Sequence, residues 1–148
     1  MSPRPAILLV EDDRDEVDVV LRALEQAGFG GLGIEIARDG VEALAALGLG
    51  DGESTNGGGV RSPPRVVFLD LKMPRVDGWE VLRNIRAHPR TSEVPVVVVS
   101  SSDRREDIAR SYALGANSFL VKRFDRTRPG GYIAEAARYW LELNRTPQ

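Results

Sequence analysis

Three short stretches of this chain carry no polar side chain at all: Ala6–Val10 (AILLV), Val66–Leu69 (VVFL) and Val94–Val99 (VPVVVV). Successive side chains of a strand point to opposite faces, so a strand with one wet face alternates apolar and polar residues. A run that is apolar at every position must be covered on both sides. That is the condition of a strand inside a parallel sheet with helices above and below it. Few other architectures can use such runs in a chain without a membrane-length apolar segment.

Two further runs complete the set. Leu32–Ala37 sets Leu32, Ile34 and Ile36 against Gly33, Glu35 and Ala37, which suits a half-exposed edge strand, and Ser118–Val121 is short and apolar at its centre. Helical patterns separate the strands. Val17, Val20, Leu21 and Leu24 keep the i, i+3, i+4, i+7 spacing, with Gly28 as the stop. Ile133, Ala137, Trp140 and Leu141 mark the inner face of a last helix. Four helix starts carry an Asp followed three residues later by a Glu: Asp13/Glu16, Asp39/Glu42, Asp77/Glu80 and Asp103/Glu106. In each, the Asp is expected to cap free backbone N–H groups and the Glu to reach back, capping-box fashion. Five β–α units in tandem predict a doubly wound, three-layer α/β/α domain with a five-stranded parallel sheet and right-handed crossovers.

The 148 residues suit a single domain, 1–148, with one interruption: residues 48–64 (GLGDGESTNGGGVRSPP) read as a flexible surface loop. That loop is either an inert insertion or a partner-specific contact. A net charge of −2 gives no reason to expect nucleic-acid binding. The absence of cysteine excludes disulfides, thiol catalysis and cysteine metal sites. The single histidine, His88, sits in a polar turn and reads as a loop residue rather than a ligand or base. Residues 1–5 are too short and polar for a signal peptide, so a cytoplasmic protein without a membrane span is expected.

In sheets of this kind, sites form beyond the carboxyl ends of the strands. Here the strand ends carry Glu11-Asp12-Asp13, then Asp70, then Ser100-Ser101-Ser102, then Lys122. If the first and third strands are neighbours, Glu11, Asp12 and Asp70 converge. Two carboxylates about 4 Å apart repel by roughly 4 kcal/mol at an effective dielectric of about 20. Such a cluster calls for cations, and the two on offer are the Lys122 ammonium and a divalent ion; oxygen-only ligation with open positions fits Mg²⁺. A lone Asp at a strand end is usually a helix cap, and Asp13 fits that reading; Glu11 could serve either role. Asp70 lies seven residues before the next cap and is a potential nucleophile toward a phosphoryl group. Mg²⁺ and Lys122 would then neutralise the phosphoryl oxygens, and Ser100 could donate to one of them.

At these residues the chain resembles the receiver domain of two-component response regulators. The matching pieces are ILLVEDD, ARDGVEAL, VVFLDLKMPRVDGWEVLRNIR, VPVVVVSSSDRREDI and ALGANSFLVK, in family order over nearly the whole chain. RAHPRTSEVP, YALGANSFL and the late YW resemble the single-domain regulators that accompany bacterial phytochromes. The resemblance implies a flavodoxin-like strand order 2-1-3-4-5. It implies Asp70 as the phosphoacceptor, Asp12 as a direct Mg²⁺ ligand, Glu11 acting through water, and the carbonyl of Lys72 as the remaining protein ligand. Met73-Pro74 and Asp77-Gly78 match the turn that shapes this loop. Ser100 matches the switch hydroxyl, Phe119 the switch aromatic, and Lys122 the phosphate-contacting lysine. Lys72 and Ser102 occupy the positions that modulate attack by water; neither is an acid or amide, so slow self-dephosphorylation is expected.

The implied function is a stand-alone response regulator, with no output domain. A sensor histidine kinase, on this likeness a bacteriophytochrome, would phosphorylate Asp70. The surface of the fourth helix, fifth strand and fifth helix would then signal to a partner. The chain would be no conventional enzyme beyond catalysing its own phosphorylation and dephosphorylation. A constitutive interaction module that keeps the fold without phosphorylation is the alternative from another class. A flavin-binding protein of the same strand order is disfavoured, because the first loop is EDDRDE rather than a cradle of N–H donors. Tyr132, Tyr139 and Trp140 are more aromatic surface than one inner face needs, which makes a homodimer plausible. The chain departs from the family at Arg123, where proline usually follows the lysine through a cis bond. A cis bond before a non-proline residue costs about 2.5–4 kcal/mol, so a trans Lys122–Arg123 peptide and a rearranged turn are expected. Lys122, Arg123, Arg126 and Arg128 read as a basic cluster, either a solvated turn or a docking feature for an acidic kinase surface.

Overall fold

Every one of the five apolar runs forms a strand in the computed structural model, which describes residues 5–50, 62–73 and 75–147. In chain order the elements are β1 (Ile7–Val10), α1 (Arg14–Leu24), β2 (Ile34–Ala37), α2 (Gly40–Ala46), β3 (Val66–Asp70), α3 (Gly78–Ala87), β4 (Val96–Ser100), α4 (Arg105–Ala113), β5 (Ser118–Val121) and α5 (Gly131–Arg138). The first and last helices are prolonged by single wider turns, Glu25–Phe29 and Tyr139–Leu143. The strands are all parallel, in the order β2-β1-β3-β4-β5.

The pleat divides the core in two. Ile7, Leu9, Val66, Phe68, Val97 and Val99 point to the side where Val20 and Leu24 of α1 and Ile133 and Ala137 of α5 pack. Leu8, Val10, Val67, Leu69, Val96 and Val98 point to the other side, against Ala43 of α2 and Val81, Leu82 and Ile85 of α3. Both faces of the three central strands are therefore buried, which is why those runs tolerate no polar residue. The edge strand β2 is half-buried along Ile34–Ile36, as its alternation implied.

Several expectations need correction at their boundaries. β4 begins at Val96, not Val94: Pro95 has no N–H to give the ladder, and the Val94 N–H bonds the Thr91 carbonyl instead. β2 begins two residues late, because the Leu32 N–H is held by the Phe29 carbonyl. β3 and β4 each run one residue further than the apolar runs, taking in Asp70 and Ser100. Gly28 does leave the helical path, with φ 95°. Asp13, Asp39 and Asp77 cap α1, α2 and α3 as expected, each accepting from the N–H three residues on. The fourth pair fails. α4 starts at Arg105 with no side-chain cap, and it is Ser102 Oγ that accepts from the Arg104 N–H while donating to Asp107 at 2.6 Å. None of the four glutamates closes its capping box onto the Asp; Glu42 accepts from the Arg38 N–H instead.

Residues 51–61 of the Gly-rich segment lie outside the described residues, as does Pro74 of the turn after β3. No described helix is long and apolar enough to cross a membrane. Among the described residues no peptide bond is cis, so Lys122–Arg123 is trans, as expected without proline.

Candidate functional site

The parallel register builds the site. The pairing that sets Val10 beside Leu69 carries Glu11 to the side of Asp70, and the pairing of Ser100 with Val121 brings Lys122 to the same end of the sheet. The Lys122 N–H is anchored on the Ser100 carbonyl at 2.8 Å, and the Glu11 N–H on the Ala37 carbonyl at 2.9 Å. Backbone ladders thus hold the reacting side chains at the ends of rigid strands.

Glu11, Asp12 and Asp70 each present a carboxylate oxygen, all within 4.8 Å of one another. Glu11 and Asp70 are buried and Asp12 opens to solvent. Lys122 is the cation the cluster needs, but it does not bond the three carboxylates around it evenly. Its Nζ lies 2.6 Å from Glu16 Oε2 and 2.9 Å from Glu11 Oε1, while Asp70 Oδ2 is 3.6 Å away, an ion pair without a hydrogen bond. Two acids of α1 and its approach hold the ammonium more closely than the acid on β3 does.

Glu16 is the site residue that sequence reasoning missed. A capping box assigns its side chain to the Asp13 N–H. In the fold that N–H is already taken by Glu11 Oε2 at 3.1 Å, which frees Glu16 for Lys122. The usable signal was an acid in the first turn of α1, on a helix that starts at the site.

The electrostatics follow from burial. Loss of solvent raises the Glu11 carboxyl to a pKa of about 8, the nearby Asp70 charge adds to the rise, and the hydrogen bond from Lys122 offsets part of it. Asp70 is raised by the same loss of solvent, against the pull of the Lys122 charge. Burial alone would lower the Lys122 pKa, but its bonds to Glu16 and Glu11 and the Asp70 charge outweigh it and hold the ammonium above the ordinary lysine value. The metal-free pocket therefore retains a proton near neutrality that a divalent cation would displace. Three hard oxygen donors, one of them open to water, fit an ion of the Mg²⁺ or Mn²⁺ kind.

The remaining expected residues line the same edge. Ser100 is buried at the end of β4, its Oγ accepting from the Ser102 N–H at 3.1 Å. Phe119 is half-buried against the α3 side of the core. Lys72 is exposed, its N–H 3.4 Å from Asp70 Oδ1. Ser102 is turned to Asp107 rather than left open to water chemistry. Gly78 is required by close approach: a Cβ there would collide with the Asp70 carbonyl and Leu71 Cα. The basic cluster loses a member, because Lys122 points into the acidic pocket; Arg123, Arg126 and Arg128 stay exposed, and Arg128 reaches Glu135 at 3.3 Å. The turn that replaces the usual lysine–proline is closed by Asp125, whose Oδ1 accepts from the Thr127 and Arg128 N–H groups, and it leaves Phe124 89% exposed.

Comparison with known proteins points the same way. Residues 7–129 match the family model described as response regulator receiver domain. The chain is 42% identical over 141 residues to the probable methanogenesis regulatory protein FilR2 of Methanothrix harundinacea, covering 95% of this chain and 86% of that one. Among solved structures, the phosphorylated cyanobacterial phytochrome response regulator RcpA superposes with a TM-score of 0.83 at 30% identity, covering 99% of this chain and all of RcpA (100%). The Mn²⁺-bound form of Rcp1, a response regulator of Synechocystis sp., superposes with a TM-score of 0.82 at 30% identity and the same coverage, 99% and 100%.

Proposed function

The chain belongs to the response regulator receiver domain family, and from that premise we propose that it is a phosphorylation switch whose acceptor is Asp70. The observation that carries this reading is the convergence of Glu11, Asp12 and Asp70 with one ammonium at the carboxyl ends of β1, β3 and β5. A carboxylate oxygen of Asp70 attacks the phosphorus of a phosphohistidine on a sensor kinase. The P–O bond forms as the P–N bond breaks, and the electron pair returns to the imidazole nitrogen. No general base is needed, because the nucleophile is already an anion. Lys122 donates to a phosphoryl oxygen, and Ser100 turns its hydroxyl to another, with Phe119 following into the space this vacates. Hydrolysis later returns the carboxylate and releases phosphate.

Mg²⁺, when bound, supplies the positive charge that offsets the phosphoryl oxygens, and Asp12, Asp70, Glu11 through water and the Lys72 carbonyl are the residues that would hold it. The Mn²⁺-bound form of Rcp1 supports a divalent ion here. The names of RcpA and of the bacteriophytochrome response regulator AtBRR, which is 38% identical with a TM-score of 0.68, favour a phytochrome-type kinase as the donor. The switch would signal to a partner or a second copy at the α4–β5–α5 face. On that face Phe124 and Tyr139 are exposed.

Titration with beryllium fluoride in the presence of Mg²⁺ tests the reading. Wild type binds the phosphoryl analogue and Asp70→Ala does not. A wild type that fails to bind, or a variant that binds as well, leaves the chain a constitutive interaction module.

A further inference from the structure

The Lys122 ammonium has three donors, and in this structure two are committed to carboxylates other than the acceptor. Glu16 Oε2 is the nearer at 2.6 Å and Glu11 Oε1 is at 2.9 Å. The two acids differ in what else they can do. Glu11 belongs to the three-carboxylate cluster with Asp12 and Asp70, so a divalent ion competes with Lys122 for it. Glu16 lies outside that cluster, on the first turn of α1, with a side chain 40% exposed. Binding of a metal therefore does not relieve Lys122 of Glu16.

Resting on the assignment of Asp70 as phosphoacceptor, we propose that Glu16 is a positioning residue: it holds Lys122 short of a hydrogen bond to Asp70 in the unphosphorylated protein and competes with the phosphoryl group for it. The ammonium stands 3.6 Å from Asp70 Oδ2, too far for a hydrogen bond, while its shortest contact is to Glu16. A phosphoryl oxygen on Asp70 must either make do with the one uncommitted donor of Lys122 or displace that contact. The tether thus opposes the phosphorylated state, and its strength sets how readily the switch closes. The same competition accounts for an acid at position 16 that serves neither as cap nor as metal ligand. Asp13 does the capping, and Glu11 occupies the N–H that Glu16 would otherwise have bonded.

Three proteins decide the matter: wild type, Glu16→Gln, and Asp15→Asn, which removes the same charge from the same helical turn at a side chain that does not bond Lys122. Each is titrated with beryllium fluoride at saturating Mg²⁺, and separately with Mg²⁺ alone by calorimetry. Glu16→Gln is expected to bind the analogue roughly three- to tenfold more tightly than wild type, the span of a half-exposed charge-assisted hydrogen bond, with Asp15→Asn within about twofold of wild type. Affinity for Mg²⁺ alone shifts alike in the two variants, whereas a merely structural lesion would weaken both ligands. Analogue affinity of Glu16→Gln equal to that of Asp15→Asn, or weaker than wild type, overturns the tether. Failure of wild type to bind the analogue overturns the phosphoacceptor assignment as well, so the two failures are distinct.

Discussion

At the scale of single residues, the pocket is a problem in charge that the fold leaves half solved. Glu11 keeps its proton to a pKa of about 8 because it is buried beside Asp70. A cation must displace that proton, so apparent Mg²⁺ affinity should rise with pH up to about 8 and level off above it. Calorimetry in buffers of different ionisation enthalpy should show about one proton released per ion bound at pH 7. The same shift acts on stability. The folded carboxyl holds its proton above the unfolded value of 4.5, so its contribution is fully present below pH 4.5 and lost as pH rises toward 8. Glu11→Gln should flatten both dependences; an unchanged profile in that variant would place the titration elsewhere. Lys72 and Ser102 offer no base to orient water, and Ser102 is held by Asp107. The acyl phosphate on Asp70 should accordingly outlast minutes, and decay within seconds would refute that. The convergence of Asp70, Lys122 and Ser100 at one end of the sheet was legible in the sequence because each ends an apolar run, where a charge or hydroxyl has no packing purpose. Glu16 was not, because its role depends on an N–H that Glu11 takes from a different direction.

At the scale of elements, strands were read more surely than helix starts. Burial on both faces leaves an apolar run few alternatives, whereas a capping box is a local pattern that tertiary contacts override. α4 is the instructive case. Its expected cap, Asp103, is passed over, and Ser111 is the only buried residue along it. What holds it is polar: Ser102 to Asp107, Trp79 Nε1 to Ser111 Oγ at 3.3 Å, and the Arg110 guanidinium stacked 4.0 Å from the Trp79 ring centroid. α3, by contrast, buries Val81, Leu82 and Ile85. A helix with so little apolar anchorage opens at lower free-energy cost. Amide hydrogen exchange should therefore be markedly faster in α4 than in α3, and equal protection would contradict this. The loop after β3 behaves oppositely. Gly78 lets α3 start directly beneath the Asp70 carbonyl, and Gly78→Ala should cost about 1–3 kcal/mol of stability in chemical denaturation, because the backbone atoms of Asp70 and Leu71 cannot yield.

At the scale of the molecule, a sheet buried on both faces fixes three carboxylates and an ammonium at one end. Beside it stands a loosely anchored helix, next to an edge strand that runs into exposed Phe124 and three arginines. The rigid part suits chemistry and the loose part suits signalling, and the trans Lys122–Arg123 turn joins them. The switch reading stands on Asp70 becoming an acyl phosphate. Incubation with Mg²⁺ and a small phosphodonor such as acetyl phosphate, followed by borohydride reduction and peptide mass mapping, reads this directly. Homoserine is expected in place of aspartate at position 70 and nowhere else, dependent on Mg²⁺ and abolished by chelation. Absence of that product, or its appearance at Asp12 or another acid, would contradict it.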